Sequence, residues 1–403
     1  MGNKSILLHA ASGLMAVLIC TAFVTGAHAQ GFGSEESFVQ IHGYTDLTYR
    51  DFEKDGDPMH PFTDNGGGTP TFQNAQFALF FGANLSPNLK FISEIHWEQT
   101  FSEPELEQAN MQWQLAKPLT MTLGRFWLPF GTLDKYRVYE PTNRLVTFPY
   151  TNTIWLFSKT QNGIELGGEI DPFSYELAIS NGFAGLDEDA GKFISGGSLD
   201  NNHNKQVTGR AVVLPVKGMD IGASYTTMKW DDNDKANLNL WGVDAEYKVG
   251  PLNLQAEYLG GHVQNPDNAV ATVDGTVRCN PAATDPSCAE PNALRDNMGP
   301  LSPGNHNLAS YYVQAAYLVL NNQLNVSTAE VIVRYDALRR DETKNLLPGE
   351  AKNQGDRNRF TAGINVSPQP HFHLKAEYQW VSEPGDQQSL KNNGVIAQAV
   401  VDF

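Results

Sequence analysis

The sequence predicts an all-β protein, a transmembrane antiparallel β-barrel of about sixteen strands with short periplasmic turns and long extracellular loops. Segments of about ten residues alternate apolar and polar side chains, as strands between lipid and water do. Short turns alternate along the chain with longer loops rich in Gly, Asp and Asn. A third observation, the composition of the last strand, indicates what the apolar side of the predicted sheet faces.

The last predicted strand, 394–403, carries two different faces. Its first face is wholly apolar and consists of Val395, Ala397, Ala399, Val401 and Phe403. The opposite face is mixed, with Ile396, Gln398, Val400 and Asp402. No residues follow to cover the apolar face, so we expect a lipid bilayer there. An unpaired strand edge in lipid leaves N–H and C=O groups unsatisfied, so the first predicted strand, 38–50, should pair with the last and close the barrel.

The remaining strands follow from the same alternation. They cover residues 71–85, 89–99, 105–116, 119–126, 161–170, 174–181, 205–214, 219–230, 239–249, 252–262, 308–320, 326–338, 357–366 and 372–381. The short turns between them are predicted at 86–88, 117–118, 171–173, 215–218, 250–251, 321–323 and 367–370, and the segments 182–204 and 263–307 are predicted to be loops. A soluble sandwich or solenoid would explain the alternation but not the regular succession of short turns and long loops.

The N-terminus has the features of a secretory signal peptide, predicted over residues 1–29. Lys4 precedes an apolar core at 14–24, and Ala27-His28-Ala29 forms a small-residue cleavage site. The barrel then occupies residues 30–403. A membrane anchor is the alternative for this segment, but the apolar core is short. The formal net charge of −17 argues against nucleic acid as a partner.

The inner face of the predicted barrel is polar and carries charges of both signs. The candidate lumen-facing charges are Asp46, Arg50, Glu94, Glu98, Arg210, Glu246, Glu330, Arg334, Arg359 and Glu377. The predicted strand 105–116 adds the amides Gln108, Asn110, Gln112 and Gln114. In a barrel of this size such a lining surrounds water, and rings of charge set ion preference. The alternative is that these charges pair with neighbours and only keep the wall polar.

The chain resembles the Gram-negative outer-membrane porins. The shared features are the signal peptide, the alternating strands and the final Ala-Val-Val-Asp-Phe. The stretch Leu123-Gly124-Arg125-Phe126-Trp127-Leu128-Pro129-Phe130-Gly131 is similar to a segment of the phosphate-selective porin O/P group. The resemblance implies an outer-membrane homotrimer, assembled by the barrel-assembly machinery through Phe403, with its third extracellular loop folded into the pore. Anion-selective members are rich in lumenal Arg and Lys, and this chain departs from that pattern.

The third long loop, 127–160, is therefore the candidate constriction. Its charged candidates, with the strand residue at its base, are Arg125, Asp134, Lys135, Arg137, Glu140 and Arg144. A charge at a narrow point is screened less than one on a wide wall. These mostly basic residues therefore predict weak anion preference or near-neutral selectivity despite the acidic total. The alternative is an exposed lid that never enters the lumen.

The predicted function is a water-filled channel for passive diffusion of small hydrophilic solutes or ions. A substrate-specific anion channel and a structural or adhesive barrel with a blocked lumen are the rivals. The sequence contains no G-x-S-x-G, H-E-x-x-H or P-loop motif, so we expect no enzyme, catalytic residue or cofactor. No metal site is expected either. The acidic loop stretches 187–189 and 231–234 are interpreted as solvated, with divalent-ion bridging to lipopolysaccharide as the alternative.

Cys279 and Cys288 are predicted to form a disulfide, because they are close in sequence in a loop-like, exported segment. Closing so short a loop would add roughly 2–3 kcal/mol to local order on the chain-entropy model. Mass spectrometry of unreduced peptides should find the two cysteines joined, whereas two free thiols in freshly isolated protein would contradict the prediction.

Overall fold

The computed structural model is a closed, sixteen-strand antiparallel β-barrel. It describes residues 38–53, 69–73, 76–98, 104–132, 139–151, 160–187, 192–195, 200, 202–264, 270–273, 276–279, 294–295, 306–340, 356–384 and 391–403. The strands of the wall are β1 (Val39–Phe52), β2 (Thr71–Gln73), β3 (Gln76–Ser86), β4 (Leu89–Glu98), β5 (Glu105–Ala116), β6 (Leu119–Trp127), β7 (Thr160–Ile170), β8 (Phe173–Ser180), β11 (Gln206–Val216), β12 (Met219–Lys229), β13 (Asn237–Val249), β14 (Leu252–Val263), β18 (His306–Gln323), β19 (Val326–Arg340), β20 (Arg357–Gln369), β21 (Phe372–Ser382) and β22 (Gly394–Asp402). Both β2 and β3 pair with β1, so together they make the second of the sixteen strands.

The barrel closes through β1 and β22, as the sequence predicts. The two strands are antiparallel in a continuous register that runs from Tyr44↔Asp402 to Phe52↔Gly394. Beyond the last register pair, the N–H of Gly43 and the N–H of Phe403 each donate to the other residue's carbonyl oxygen at 2.9 Å. The edges of the sheet therefore satisfy each other, which a sheet within lipid requires.

Two-residue turns join the strands at one end of the barrel, at residues 87–88, 117–118, 171–172, 217–218, 250–251, 324–325 and 370–371. Two predicted turns are displaced along the chain. Residues 321–323 belong to β18, and the turn is formed by Leu324 and Asn325, which have φ angles of 55° and 59°. Residues 367–369 belong to β20, and His371 has a φ of 65°. Asn and Pro marked these reversals approximately: Asn322 in the predicted segment already has a φ of 52°, but the turns themselves lie slightly later in the chain.

Two segments predicted to be loops contain small sheets. The first holds β9 (Phe183–Asp187) and β10 (Lys192–Ser195), which form an antiparallel pair. The second holds β15 (Val270–Val273), β16 (Thr276–Cys279) and β17 (Leu294–Arg295). Cys279 ends β16, but Cys288 lies outside the described residues, as do residues 1–37 with the predicted signal peptide. The disulfide and the signal peptide therefore stay predictions.

The outer face of the wall is apolar. Large side chains such as Trp97, Trp241 and Trp380 are exposed there to between 41% and 51%. The last strand differs in detail from its prediction, because Val395 and Ala397 are only 6% and 5% exposed. Their outer neighbours in the register are the larger residues Tyr378 and Tyr49, which flank these small side chains. In the described part of the chain, no helix is long and apolar enough to cross a membrane.

Gly43 should be essential to closure. A Cβ atom at this position would lie 2.6 Å from the carbonyl oxygen of Ala78 and 2.6 Å from Cζ of Phe403, closer than real contacts allow. We therefore expect Gly43→Ala to lower the yield of folded barrel, measured by heat-dependent mobility in gel electrophoresis after refolding. Gly82→Ala on β3 is the matched control, because the nearest atom to its Cβ is 3.8 Å away. Equal yields from the two variants would contradict this account of closure.

Candidate channel lumen

The connection between β6 and β7 lies inside the barrel. Its described residues, 128–132 and 139–151, are called the lumen loop below. The hydroxyl of Tyr139 donates to Glu94 Oε2 on β4 at 3.0 Å, and the N–H of Thr132 donates to Glu257 Oε1 on β14 at 2.8 Å. Strands β4 and β14 stand half-way round the barrel from each other. The lumen loop therefore crosses the channel rather than covering its mouth.

Wall carboxylates accept hydrogen bonds from the backbone of the lumen loop. Glu377 Oε2 on β21 accepts the N–H of Val146 at 2.7 Å, and Glu377 Oε1 accepts the N–H of Thr147 at 3.3 Å. Glu257 also accepts the hydroxyl of Thr151 at 2.7 Å. Both glutamates are buried. A loop inside a barrel has no sheet partner, so side chains must satisfy its backbone donors.

Basic and amide side chains of the wall satisfy the carbonyl groups of the lumen loop in the same way. Arg334 Nη1 donates to the carbonyl of Thr147 at 2.8 Å, and Arg359 Nη2 donates to that of Phe148 at 2.6 Å. Asn365 Nδ2 donates to the carbonyl oxygen of Arg144 at 3.2 Å, and Lys375 Nζ donates to the carbonyl oxygen of Glu140. Wall charges of both signs are therefore bound to the loop.

One aspartate holds the two arginines in place. Asp336 is fully buried and accepts from Arg334 at 3.2 Å and from Arg359 at 2.8 Å. The Arg359 guanidinium also lies 4.4 Å from the ring centre of Tyr150 on the lumen loop. Charge-assisted bonds and a cation–π contact thus fix both guanidinium groups. Removing Asp336 would leave two buried positive charges, which is far more costly than the pair itself is stabilising.

At the opposite wall, the Glu94 carboxylate accepts several hydrogen bonds. Its Oε2 atom accepts from Gln108 Nε2 at 2.8 Å, from Trp127 Nε1 at 3.1 Å and from Tyr139 OH at 3.0 Å. Tyr139 also packs edge-to-face against Phe80 and Trp127. Through Trp127 at the end of β6 and Tyr139 on the lumen loop, these contacts attach the connection to β4.

Glu140 is buried between the lumen loop and the closing strands. Gln398 Nε2 donates to its carboxylate at 2.9 Å, and Lys375 Nζ lies 3.8 Å away. Burial raises the pKa of the Glu140 carboxyl from 4.5 to about 7, and the charge of Asp46 acts in the same direction. Lys375, Gln398 and Arg50 oppose that shift without cancelling it. The carboxyl therefore titrates near neutral pH.

An apolar core packs the lumen loop against one wall, and sequence reasoning missed it. Phe130 and Tyr150 of the loop bury their rings among inward side chains of neighbouring strands. The other members of this core are Met228, Trp230, Ala236, Leu238, Leu240, Leu259, Val263, Leu308 and Leu338. Alternating Leu238 and Leu240, with the exposed Trp241 beside them, carried the only signal that the inner face here is apolar.

On the side of β5, β6, β7 and β8 the lumen remains open. A cavity of about 560 Å³ extends from the turn residue Lys117 up to Trp127 and Tyr139 of the loop. Amides of β5 and carboxylates of β7 and β8 line it. The lumen loop thus divides the interior into a packed side and a hydrated side.

The structure places nine of the ten predicted lumenal residues on the inner face, with most of them in contact with a partner. Arg210 makes a bidentate pair with Asp244 at 2.6 and 2.9 Å. Glu246 accepts from Asn253 at 2.7 Å and from Gln255 at 2.9 Å. The remaining members are Asp46, Arg50, Glu94, Glu330, Arg334, Arg359 and Glu377, all described, and Glu98, whose side chain lies outside the described atoms. Whether they set ion preference stays a prediction.

The predicted constriction residues have different outcomes. Asp134, Lys135 and Arg137 lie outside the described residues. Glu140 is on the lumen loop as described above, and Arg144 Nε on the same loop pairs with Glu330 at 3.3 Å.

Arg125 requires a correction, because its side chain is on the outer face of the wall. The register pairs Arg125 with Ala109 and Asn162, and its guanidinium donates to Thr160 Oγ1 at 2.8 Å. The neighbouring Phe126 takes the inner position and lines the cavity. Residues paired across two strands share a face, and Ala109 is on the outer face because its neighbour Asn110 lines the cavity, so Arg125 is on the outer face too.

Comparison with known proteins agrees with this architecture. The profile of the family described as phosphate-selective porin O and P matches residues 173–403. The chain belongs to this family. An uncharacterized protein of Aquifex aeolicus is 25% identical over 386 residues, covering 90% of this chain and 79% of that protein. The chain is an outer-membrane channel of a Gram-negative bacterium for passive diffusion.

Three solved structures share the fold at low sequence identity. The outer membrane channel DcaP of Acinetobacter baumannii superposes with a TM-score of 0.58 at 13% identity, covering 93% of this chain and 99% of that one. The anion-selective porin of Comamonas acidovorans gives 0.57 at 11% identity, with 91% and 99% covered. The trimer form of OmpT, an outer membrane protein of Vibrio cholerae, gives 0.54 at 10% identity, with 91% and 99% covered. Family and fold point to a channel rather than an enzyme.

The raised pKa of Glu140 makes docking of the lumen loop pH-dependent. The Glu140 carboxyl has a pKa of about 7 when the loop is docked, against 4.5 in water. Docking is therefore stabilised as the pH falls and loses that stabilisation as the pH rises through 7. We expect protection of amides 139–151 from hydrogen exchange, corrected for the chemical rate, to be up to about tenfold greater at pH 6 than at pH 8. Glu140→Gln stays neutral at every pH and should remove the difference. A pH dependence that survives in this variant would assign the effect to another group.

Proposed function

We propose that solutes diffuse through the hydrated side of the lumen and that the lumen loop forms the constriction. The observation that carries this is the attachment of the loop to opposite walls, through Glu94 on β4 and Glu257 on β14. A loop held across the barrel reduces the open cross-section to the side where the cavity lies. Its many buried hydrogen bonds keep that reduced opening in a fixed shape.

We propose further that the channel is a homotrimer exported through the signal peptide 1–29. The support is the trimer form of the Vibrio cholerae protein, which shares the fold, together with the sequence features of residues 1–29. Lipid and lipopolysaccharide would surround the apolar outer face, and the barrel-assembly machinery would recognise the strand that ends in Phe403. Chemical cross-linking of the native outer membrane tests the trimer, since only monomers would contradict it.

Conductance in planar bilayers tests the channel and its constriction together. The purified, folded wild-type protein should give stepwise conductance increments. Replacing residues 141–149 with a Gly-Ser linker of equal length should raise the single-channel conductance, because it removes the loop's bonds to Glu377, Arg334 and Arg359. The matched control replaces residues 341–349, between β19 and β20, with the same linker.

Each experimental outcome tests a different part of the proposal. Folded wild-type protein without conductance would overturn the channel function and favour a blocked, structural barrel. Conductance that is equal in the wild type and the 141–149 variant would show that the lumen loop does not limit the passage. A rise in both linker variants would indicate a general loosening of the barrel rather than an open constriction.

A further inference from the structure

The side chains that line the hydrated side of the lumen differ from those of the packed side. On β5, the amide side chains of Gln108, Asn110, Gln112 and Gln114 occupy successive inward positions of one strand and line the cavity. Successive inward residues of a strand are about 7 Å apart, so these side chains form a ladder along the axis of the passage. An amide offers both an oxygen acceptor and an N–H donor, so the ladder keeps water and ions of either sign in the passage.

Carboxylates face this ladder across the cavity. Glu165 and Glu169 come from β7, and Glu176 comes from β8. Among the described residues that line the cavity, Lys117 at the turn is the only base. The lining therefore carries an excess of negative charge along the length of the open passage.

Arg210 stands opposite Glu176 in the β8–β11 register, but its guanidinium makes a bidentate pair with Asp244. Other bases of the lumen lie away from the cavity and against carboxylates. Arg334 and Arg359 share Asp336, and both donate to carbonyl groups of the lumen loop. Lys375 lies against Glu140. On the same loop, Arg144 Nε lies 3.3 Å from Glu330 Oε2. An ion pair presents little net field to a passing ion, whereas an excess of one sign in a narrow, low-dielectric channel presents a strong one.

We propose that this cavity is a cation-selective passage, so that the channel conducts cations in preference to anions such as phosphate. The inference deepens the proposed channel function and rests on it. It differs from the weak anion preference that the loop charges predict from sequence, because Arg144 is paired and Arg125 is outside the lumen. Acidic side chains that line a pore favour cations by their field.

Reversal potentials in a potassium chloride gradient test the proposal. The wild-type channel should give a reversal potential whose sign corresponds to preferential passage of potassium over chloride. The triple variant Glu165→Gln, Glu169→Gln and Glu176→Gln should shift it toward zero, since it removes three carboxylates from the cavity. The matched control, Asp200→Asn, Asp232→Asn and Asp356→Asn, removes the same number of charges beyond the opposite ends of the strands and should leave the reversal potential close to the wild-type value.

The outcomes distinguish this inference from the channel function itself. Conductance with a reversal potential at zero or on the chloride side would overturn the cation preference and leave the channel function standing. Equal shifts in the triple variant and its control would show that selectivity does not arise in the cavity. If the triple variant folds poorly, Glu169→Lys changes a single exposed side chain and should shift the potential toward chloride. A triple variant of Lys135, Arg137 and Arg144 to Gln should make the channel more cation-selective only if those bases also line the passage.

Discussion

The structure depends on the need of every backbone N–H and C=O group to find a partner where water is scarce. In the wall, the requirement is met by strand pairing all the way round, including the pairing of β1 with β22. In the lumen loop it cannot be met that way, because the loop crosses the barrel without lying beside a strand. Side chains of the wall supply the partners instead, with Glu377 for the donors and Arg334 for an acceptor.

This requirement explains why one wall carries both signs of charge at high density. Glutamates are needed where loop N–H groups arrive, and arginines where carbonyl groups arrive. Because those charges are buried, each needs a counter-charge, which Asp336 provides for two guanidinium groups at once. The apolar core around Tyr150 then excludes water from the same region and strengthens each of these bonds. The charged side chains of this wall therefore serve to attach the lumen loop.

Alternation alone was sufficient to predict the wall, because a membrane fixes the apolar face of every strand. The predicted strands and the observed ones differ by a few residues at their ends, as at Leu324 and Asn325, where positive φ angles set the turn. Arg125 was misplaced because a single-residue error in phase transfers a side chain to the other face. Alternation places Leu238 and Leu240 inward, but it does not say that a loop packs against them, so the apolar core inside the barrel was missed.

The same limit applies to the channel chemistry. An inward carboxylate looks the same in sequence whether it accepts a loop N–H, as Glu257 does, or lines an open cavity, as Glu169 does. What separates them is the course of the lumen loop, which depends on contacts between residues more than a hundred positions apart. By packing against one side, the loop occupies the bases of that side, which wall and loop carboxylates neutralise, and leaves the opposite side open. The field felt by a solute then comes from β5 to β8, so selectivity depends on which side the loop leaves open, and here that side has the same sign as the total charge of the chain.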